Sequence, residues 1–572
     1  MARFVLISDT TLVNDYRNFP LLDFLPTAPA NTVPEFIYKF LKGPPPASLP
    51  NGEAAYSAYS LRKIEAALLQ RYQRDEVAVP HENAIEKFID DKTEIIAVTT
   101  MDPLGYGPLT MSYAMLFGKD YRPWVRVEWS RLISRINAAR KGKKAKLLIG
   151  GPGVWEFTIT PEALDEEGID YAFQGESEDI VVDLFEQIST GNIDSNKFYE
   201  GFLSYDDNFR PSYKEHQKFI CRNPATKRIF PMLEEIPKIV RPSMKGLVEV
   251  MRGCGIGCDF CEVTLRPLRY VPPEVVADEI KVNMSAYGGP TYDNAWLQSD
   301  EIFAYEHGRF YHPNEEALTE LFSTVMAIKG VRRTNPTHGR ISIPAAFPEL
   351  IDKLSNIIKA GPNNWIGIQV GVETGSDRLA AIHMPNKTLP LKIGPDGSWK
   401  EIVWNGTRNF NKYWWRPAFT VQTGQRDETD EDNWETVSLI NSMSNSSVDG
   451  KPFEFTITPM QNVPLGKIKS REISTDMMSE SQIAVYYAAY RHLAKMASRN
   501  ARKSSNGNIL AKAGMYGIVN FGGWIMMKFV EGLAKKRGLD ISKVKRYGLE
   551  GGSVASIKER KYGIESVQQM QK

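Results

Sequence analysis

The sequence predicts an α/β fold with three parts: a doubly wound Rossmann-like domain, a (β/α)6 partial TIM barrel and a mostly helical C-terminal region. Two observations predict this class. Short apolar runs alternate with helical patterns in two separate stretches, and the last hundred residues are helix-rich and basic. With 572 residues the chain is too long for one core. We place the Rossmann-like domain at 1–190, a connector at 191–245, the barrel at 246–468 and the helical domain at 469–572.

The first domain is predicted from buried strand candidates that alternate with helices, which implies a parallel sheet. The candidates lie at 4–7, 94–100, 146–149 and 170–173. Ligands of such sheets lie beyond the carboxyl ends of the strands. Here those ends carry polar residues and glycines, although each glycine taken singly is better explained by an ordinary tight turn.

The barrel is predicted from six further strand candidates with helices between them. They lie at 246–250, 295–298, 340–343, 365–372, 418–422 and 454–458. Six such units match a partial barrel better than an open sheet.

The most informative segment is a cysteine triplet that follows the first barrel strand. Cys254, Cys258 and Cys261 have C-x3-C-x2-C spacing. Thiolates are the usual ligands of iron–sulfur clusters, and three of them leave one iron of a [4Fe–4S] cube open for reaction. Glycines that allow the backbone to wrap tightly around an inorganic core stand between them and before them, at Gly253, Gly255 and Gly257.

Two other metal sites compete with this interpretation. A structural zinc site needs four closed ligands, and no further Cys or His pair lies at usable spacing. A ferredoxin-type electron carrier needs a fourth thiolate, for which Cys221 is the single candidate in the sequence. A non-catalytic iron–sulfur protein therefore stays as an alternative of a different class.

The triplet, with an aromatic Phe260 before its last cysteine, resembles the signature of radical S-adenosylmethionine (SAM) enzymes. The resemblance implies that Cys254, Cys258 and Cys261 bind three irons and that SAM chelates the fourth. It also implies reductive cleavage of SAM to a 5′-deoxyadenosyl radical, which abstracts a hydrogen from the substrate. A reductase or a ferredoxin would supply the electron.

The same resemblance implies further contacts to SAM. The implied residues are Phe260, Asp300, Glu301, Arg340, Ser342 and Glu373. Carboxylates at Asp300 and Glu301 suit the ammonium group of SAM. Glu373 lies in the glycine-rich segment 367–376, which resembles the family's fifth-strand element along the adenosine. The segment 421–430 departs from the family's Gly-Pro-Gly-Glu-Thr turn, and we assign it no ligand.

The front domain resembles the cobalamin (B12)-binding domain of one radical SAM subclass, with a match over roughly residues 1–470. The residues implied to face a corrinoid are Thr99, Asp102, Gly105, Gly150, Gly151, Gly153 and Glu176. One departure matters: the Asp-x-His-x-x-Gly element is absent, and no histidine precedes His81. The resemblance then implies cobalamin bound without a histidine below the metal, or a domain that has lost the cofactor and serves as scaffold.

As a whole the chain resembles archaeal members of this subclass, including the tetraether-lipid (GDGT) ring synthases. That resemblance implies modification of an unactivated C–H in a large apolar substrate, with cyclopentane ring formation in a membrane lipid as the specific hypothesis. The alternative enzyme is a cobalamin-dependent methyltransferase acting on a small molecule or peptide.

Composition and charge suggest where the protein acts. A net charge of +1 does not favour bulk nucleic-acid binding, and we expect no nucleic-acid partner. The N-terminus reads as a first strand, and we expect a cytoplasmic protein. The apolar segment 514–530, with lysines around it, is typical of an interfacial membrane helix, so peripheral membrane contact is a second expectation. A helix packed on the barrel with snorkelling lysines explains the same pattern.

Overall fold

The computed structural model of the chain describes residues 2–14, 16, 20–118, 121–193, 196–200, 204–205, 211–212, 218–219, 228–285, 293–463, 465, 478–503, 509–550, 559–560 and 562. Over these residues it confirms the predicted mixed α/β class with a helical C-terminal region. Cys221 lies outside the described residues, so its role stays a prediction.

A parallel sheet of seven strands forms the first domain. The strands of this part of the chain are β1 (Phe4–Ser8), β2 (Val77–Ala78), β3 (Ile95–Thr99), β4 (Lys146–Gly150), β5 (Tyr171–Gln174), β6 (Phe198–Glu200), β7 (Ser204–Tyr205), β8 (Pro211–Ser212) and β9 (Lys218–Phe219). The sheet order is β2-β1-β3-β4-β5-β6-β9, while β7 and β8 pair with each other. The order reverses beside β1, so the ligand crevice of this topology lies at the carboxyl ends of β1 and β3. Two of its short strands, β6 and β9, come from residues that we assigned to the connector.

Helices cover both faces of this sheet. They are α1 (Glu35–Lys42), α2 (Tyr59–Leu68), α3 (Pro108–Phe117), α4 (Trp124–Arg140), α5 (Ala163–Glu166) and α6 (Val181–Thr190), with 3-10 turns at Pro20–Thr27, Arg74–Glu76, Ile85–Phe88 and Pro152–Thr158. Phe4 and Leu6 pack with α2 and α6, whereas Val5 and Ile7 pack with α4 on the opposite face. Burial on both faces explains why β1 is an unbroken apolar run rather than an alternating one.

The second domain is an open barrel of six parallel strands. The strands of this region are β10 (Leu247–Glu249), β11 (Met251–Arg252), β12 (Arg269–Tyr270), β13 (Asn294–Gln298), β14 (Arg333–Pro336), β15 (Ile366–Glu373), β16 (Trp415–Thr423), β17 (Ser447–Val448), β18 (Lys451–Pro452) and β19 (Thr456–Gln461). The barrel consists of two three-stranded sheets, β10-β13-β14 and β15-β16-β19. A bridge between His338 and Gln369 joins them, with the Gln369 N–H donating to the Thr337 carbonyl at 2.8 Å.

The helices of the barrel are α7 (Pro273–Met284), α8 (Glu315–Ala327), α9 (Ser342–Ala346), α10 (Pro348–Ile357), α11 (Asp377–His383), α12 (Trp399–Lys412) and α13 (Asp430–Ser444).

The third barrel strand does not lie where the sequence predicted it. The predicted strand at 340–343 is wrong, because α9 begins at Ser342 and the strand is the more polar β14. Pro344 favours a first helical turn, and a short apolar run fits one buried turn as well as a strand.

Three helices follow the barrel: α14 (Glu480–Lys503), α15 (Ile509–Lys536) and α16 (Ile541–Arg546). Buried residues of α14 and α15, such as Tyr486 and Val530, belong to the same apolar cluster as the barrel strands. These helices therefore extend the barrel core rather than enclosing one of their own. None of the helices described here is both long enough and apolar enough to cross a bilayer.

Hydrogen bonds and an ion pair join the first domain to two elements of the barrel, helix α7 and the last strand β19. The Tyr59 hydroxyl donates to Glu279 at 2.7 Å, and Lys63 forms an ion pair with the same carboxylate at 2.6 Å. On the other side of the junction, the Gln461 N–H donates to the Ser112 hydroxyl in α3 at 2.7 Å. These contacts hold the carboxyl edge of the first sheet against the barrel.

A buried histidine makes the C-terminal packing dependent on pH. His492 in α14 is 2% exposed, stacks on Phe455 and bonds the Ser444 hydroxyl at 2.7 Å. Burial lowers the pKa of His492 to about 4, from 6.5. The unfolded chain therefore takes up this proton first as the pH falls. The stability that the buried, neutral His492 side chain contributes is present above the pKa of the unfolded chain. It is lost as the pH drops from 6.5 towards 4.

We expect His492→Gln to remove this pH dependence, because glutamine keeps a hydrogen-bonding side chain that does not titrate. From pH 7 to about pH 5, the wild type should lose about 2 kcal/mol of unfolding free energy more than the variant does. Urea unfolding of both proteins at the two pH values measures the difference. Equal losses in the two proteins would contradict the prediction.

Candidate active site

The cysteine loop begins and ends in a two-residue antiparallel ladder. In this ladder β11 pairs with β12, so that Arg252 lies opposite Arg269. The loop leaves the barrel just after β10, where the Val250 N–H donates to the Gln298 carbonyl at 2.8 Å. The cysteines therefore lie at the carboxyl end of the first barrel strand, as predicted.

The three glycines of the loop adopt backbone angles that favour glycine. The φ angles are 75° at Gly253, 66° at Gly255 and 88° at Gly257. At Gly253 a β-carbon would also lie 2.6 Å from the Arg266 carbonyl oxygen and 2.7 Å from that of Pro267. The loop is therefore tightly turned at these positions, and at Gly253 a side chain has no room; wrapping around a cluster stays a prediction.

Side chains from later barrel elements fix the backbone of the loop. Asp300, after β13, accepts a hydrogen bond from the Gly253 N–H at 2.7 Å. Asn386, in the 3-10 turn Pro385–Thr388, donates to the Ile256 carbonyl at 2.9 Å. The loop conformation thus depends on residues that lie far away in the sequence.

Two further contacts hold the loop in place. Asp259 accepts a hydrogen bond from His383 Nδ1 at 2.8 Å, while His383 Nε2 lies 2.7 Å from the Arg426 carbonyl oxygen. The Tyr311 hydroxyl donates to the carbonyl of Gly255. None of these contacts uses a cysteine sulfur, so all three sulfurs stay available to a ligand.

The three thiols are covered and uncharged in the absence of a cation. Cys254 and Cys258 are buried, Cys261 is half-buried, and all three are free thiols. Burial raises the pKa of Cys258 to about 12, and it also raises the pKa values of Cys254 and Cys261. In the described part of the chain, no three His, Cys, Asp or Glu side chains form a ready-made site for a single metal ion. The donor set, three thiols on one glycine-rich loop, fits an iron–sulfur cluster, whose irons bind thiolates and displace the thiol protons.

A charged pair lies beside these sulfurs. Glu373 lies at the bulge that ends β15 and has a φ of 65°. Its carboxylate accepts hydrogen bonds from Lys387 Nζ at 2.7 Å and from Gln422 Nε2 at 2.9 Å. Burial opposes the charge of Lys387, but Glu373 and then Cys258 raise the pKa of its ammonium. The pair places one cation next to the thiols and one carboxylate along β15, where the sequence predicted a cofactor contact.

Lys387 is one of the residues that the sequence analysis missed. It stands fourteen positions after Glu373, on the segment that returns from α11, and no periodicity links the two. The adjacent Asn386, which holds the cysteine loop, was missed for the same reason. A lysine within an irregular segment carries no signal until the fold brings it to the site.

Glu301, Arg340 and Ser342 are buried and paired inside the protein. Arg340 Nε donates to Glu301 at 2.8 Å, and the other guanidinium nitrogens donate to the carbonyls of Tyr311 and Leu389, both at 3.2 Å. Ser342 donates to the Leu389 carbonyl at 2.9 Å. These residues hold the segment that carries Lys387, and their predicted contact with SAM stays a prediction.

Phe260 connects the cysteine loop to the end of the barrel. Its ring is half-buried against the barrel core, and its carbonyl accepts a hydrogen bond from the Leu465 N–H at 3.0 Å. The aromatic residue before the last cysteine thus anchors the loop by packing.

At the edge of the first sheet, the glycines lie against protein backbone. A β-carbon at Gly151 would overlap Thr99 Oγ1 and lie 2.8 Å from the Thr100 carbonyl oxygen, and one at Gly153 would lie 2.6 Å from the Met101 carbonyl. A β-carbon at Gly150 would meet no heavy atom closer than 4.0 Å. Close packing of two loops accounts for the first two glycines, which agrees with the tight-turn explanation.

Asp102 closes the turn that leads into α3. It accepts a hydrogen bond from the Gly107 N–H at 2.9 Å and another from Thr110, while Gly105 adopts a φ of 84°. Beside it lies Glu156, which is fully buried and was missed by the sequence analysis. Burial, and then the charge of Asp102, raise the pKa of Glu156 well above its usual value. The Glu156 side chain therefore favours its protonated, neutral form.

Three buried polar atoms at this edge have no hydrogen-bond partner among the described residues. They are Oγ1 of Thr99, at the end of β3, Oε1 of Gln174, at the end of β5, and Oε1 of Glu156. Such groups cost free energy unless a ligand or water satisfies them. Thr99 is thus the residue of the predicted corrinoid set whose side chain has an unused polar atom.

Glu176 joins the two domains. Its carboxylate accepts two hydrogen bonds from Arg269, at 2.7 and 2.8 Å, and one from Arg252 at 2.8 Å. All three side chains are buried. Burial alone would raise the pKa of Glu176, but the hydrogen bond from Arg269 and the charges of both arginines lower it to about 2. The structure gives this residue a role at the domain junction, and its predicted contact with a corrinoid stays a prediction.

Comparisons with known proteins give distant similarities. No family model matches the chain. Over 241 residues, the chain is 24% identical to tRNA-2-methylthio-N(6)-dimethylallyladenosine synthase of Bacillus thuringiensis (strain Al Hakam) and 26% identical to the enzyme of the same name from Bacillus cytotoxicus. The match covers 42% of this chain and 42% of the length of each of these relatives.

Among solved structures, the chain is similar to the radical S-adenosylmethionine methyltransferase TsrM from Kitasatospora setae. With cobalamin and a [4Fe–4S] cluster bound, TsrM aligns at a TM-score of 0.46 and 14% identity, covering 80% of this chain and 72% of that one. With tryptophan and a SAM analogue bound, it aligns at 0.48 and 16% identity, covering 80% and 73%.

Two glycines of β15 provide a matched test of the Glu373–Lys387 pair. A β-carbon at Gly371 would overlap the Glu373 carboxylate and lie 2.5 Å from Lys387 Nζ, whereas one at Gly367 meets nothing closer than 3.9 Å. We expect Gly371→Ala to weaken SAM binding about tenfold, the equivalent of about 1.4 kcal/mol, because the pair must move. Gly367→Ala should leave it unchanged. Calorimetric titration with SAM measures both affinities, and equal losses would contradict the role of the pair.

Proposed function

We propose that this chain is a radical SAM enzyme that holds a [4Fe–4S] cluster through Cys254, Cys258 and Cys261. The observation that carries the proposal is the cysteine loop itself. Its three cysteines form no disulfide, three glycines shape it, and barrel residues hold it at the carboxyl edge of the strands. Enzymes on parallel barrels have their chemistry at this edge.

The chain's own residues then have distinct tasks. A bound cluster supplies the electron that splits SAM and so provides a radical that can abstract hydrogen. Lys387 offsets part of the negative charge of the thiolates, and Glu373 lies in position to accept a hydrogen bond from the nucleoside of SAM. One carboxylate oxygen of Asp300 accepts a hydrogen bond from the Gly253 N–H. We assign its other oxygen to the ammonium group of SAM.

We further propose cobalamin at the carboxyl edge of the first sheet, held without a histidine ligand. The unpartnered atoms of Thr99 and Gln174 lie at this edge and support the proposal. His81 does not offer an imidazole, since its Nε2 lies 2.7 Å from the Pro46 carbonyl oxygen and its Nδ1 accepts the Asn83 N–H at 3.2 Å. The competing explanation is that the domain serves as scaffold alone, and the close-packed glycines favour it.

For the substrate we propose an unactivated C–H of a large apolar molecule, with ring closure in a tetraether membrane lipid as the specific reaction. Methyl transfer to a small molecule or peptide is the alternative, supported by the likeness to a cobalamin-binding methyltransferase. The name of the curated relatives denotes a tRNA-modifying enzyme, which weighs against our expectation of no nucleic-acid partner. A reductase or a ferredoxin is the proposed electron donor.

The Cys258→Ala variant tests the catalytic assignment. After anaerobic reconstitution and with a strong reductant, the wild type should convert SAM to 5′-deoxyadenosine and methionine, and the variant should not, because the cluster loses one of its three ligands. Cys221→Ala is the matched control and should retain the activity. Chromatography of the nucleoside product measures all three proteins. Retained cleavage in Cys258→Ala, or its loss in Cys221→Ala, would contradict the assignment.

Mass spectrometry of molecules extracted from anaerobically purified protein tests the substrate. We expect a bound isoprenoid lipid, and a product lighter by two hydrogens for each ring after turnover with SAM. Bound cobalamin together with S-adenosylhomocysteine formation would instead favour methyl transfer. Co-purified tRNA that gains a modification would overturn the lipid hypothesis.

A further inference from the structure

The long helix α15 has one packed face and one exposed face. Val530 and Ala534 are buried against the barrel helices. On the other side, Phe521 is 62% exposed, Trp524 56% and Ile525 48%. Residues three and four positions apart share one face of a helix, so these three side chains form a single apolar stripe. The structure therefore shows a helix that packs on the protein and also presents aromatic residues to solvent.

A second exposed aromatic stripe lies on α1, almost five hundred residues earlier. Tyr38 is buried and stacks on Trp124 with ring centroids 4.4 Å apart, which fixes the inner face of α1. Phe36 and Phe40, two positions to either side, lie on the outer face and are 73% and 68% exposed. Contiguous exposed apolar patches mark interaction sites on folded proteins.

A series of contacts connects α1 with α15 through the segment around α3. The Tyr121 hydroxyl donates to the Thr27 carbonyl at 2.5 Å, in the 3-10 turn that packs against α1. Phe117 stacks on Tyr121 at 6.2 Å and on Phe529 of α15 at 4.6 Å. Phe529 stands one helical turn after Ile525 on α15. The segment that carries α3 thus contacts both α15 and the turn that packs against α1.

We propose that this region is a membrane-docking surface that binds a bilayer containing anionic lipids. We name as the aromatic face the residues Phe36, Phe40, Phe521, Trp524 and Ile525. Phenylalanine and tryptophan on helices that lie flat are the side chains that enter the interface between head groups and acyl chains.

The charges around the aromatic face favour a bilayer. Exposed lysines continue the outer side of α15 beyond the apolar stripe, at Lys528, Lys535 and Lys536. Lys528 is paired with Glu531 at 3.2 Å. Lys39 on α1 is paired with Glu35 at 2.7 Å. Lys535 and Lys536, which lie outside these two ion pairs, add attraction to anionic head groups. This surface would bring the enzyme to a membrane whatever its substrate, so the inference does not rest on the lipid-substrate proposal.

Vesicle flotation with the full chain tests the surface. The vesicles are phosphatidylcholine alone or phosphatidylcholine mixed with phosphatidylglycerol. We expect the wild type to float with the anionic vesicles and to bind them at least about tenfold more tightly than Phe36→Ser/Phe40→Ser or Phe521→Ser/Trp524→Ser. Val240→Ser, at a side chain 52% exposed on the connector, is the matched control and should bind like the wild type.

Far-UV circular dichroism and SAM cleavage without vesicles show that each variant is folded, and they separate this inference from the proposed function. Three results would overturn the proposal: no flotation of the wild type, unchanged binding by either double variant, or an equal loss in Val240→Ser. A concentration-dependent dimer that the double variants abolish, with no vesicle binding, would assign the aromatic face to a second copy of the chain and overturn it as well.

Discussion

Two guanidinium groups, those of Arg252 and Arg269, face each other across the ladder that closes the cysteine loop. Their repulsion is offset by carboxylates: Glu176, which binds both, and Glu178 and Glu249, which bind Arg252. Removing one partner from a buried ion cluster costs about 3–5 kcal/mol, because the remaining charge stays buried. Glu176 and Glu178 belong to the first domain, so the cysteine loop closes only where that domain is docked. The front domain is therefore part of the structure of the proposed cluster site, whether or not it carries a cofactor.

Charge in the site is arranged around the three thiols. Burial keeps the thiols neutral until a metal replaces their protons, and the resulting thiolates would face the Lys387 ammonium. That ammonium is itself held by Glu373, whose strained backbone conformation persists because Gln422 and Lys387 both bind its carboxylate. The arrangement suits a cluster that must be held tightly by three ligands and remain open towards the barrel. It also explains why Gly371 carries no side chain.

Much of the fold and of the site follows from local patterns. Unbroken apolar runs predicted β1 and β3, because burial on both faces demands such sequences. Strand candidates with helices between them predicted β15 and β16. The cysteine spacing predicted a metal-binding loop, and the three glycines predicted its tight backbone turns. The strand at 340–343 was mispredicted, because a buried helical turn and a buried strand have the same short apolar pattern. The positions of Lys387, Asn386 and Glu156 were not predicted, since each reaches its partner through tertiary contacts.

The sequence by itself determined the chemistry of the ligands: three thiols at a spacing that suits a cluster, on a loop whose glycines permit tight wrapping. It also determined the two α/β units, because the apolar pattern of a short segment is enough to predict a buried strand or a helix. Only the tertiary structure decided which carboxylates and cations surround that loop. Glu176 proved to bind arginines of the barrel, and Arg340 proved to bind Glu301. The physical reason is that hydrogen bonds and ion pairs act over a few ångströms between residues far apart in the chain, and a linear sequence does not contain those distances.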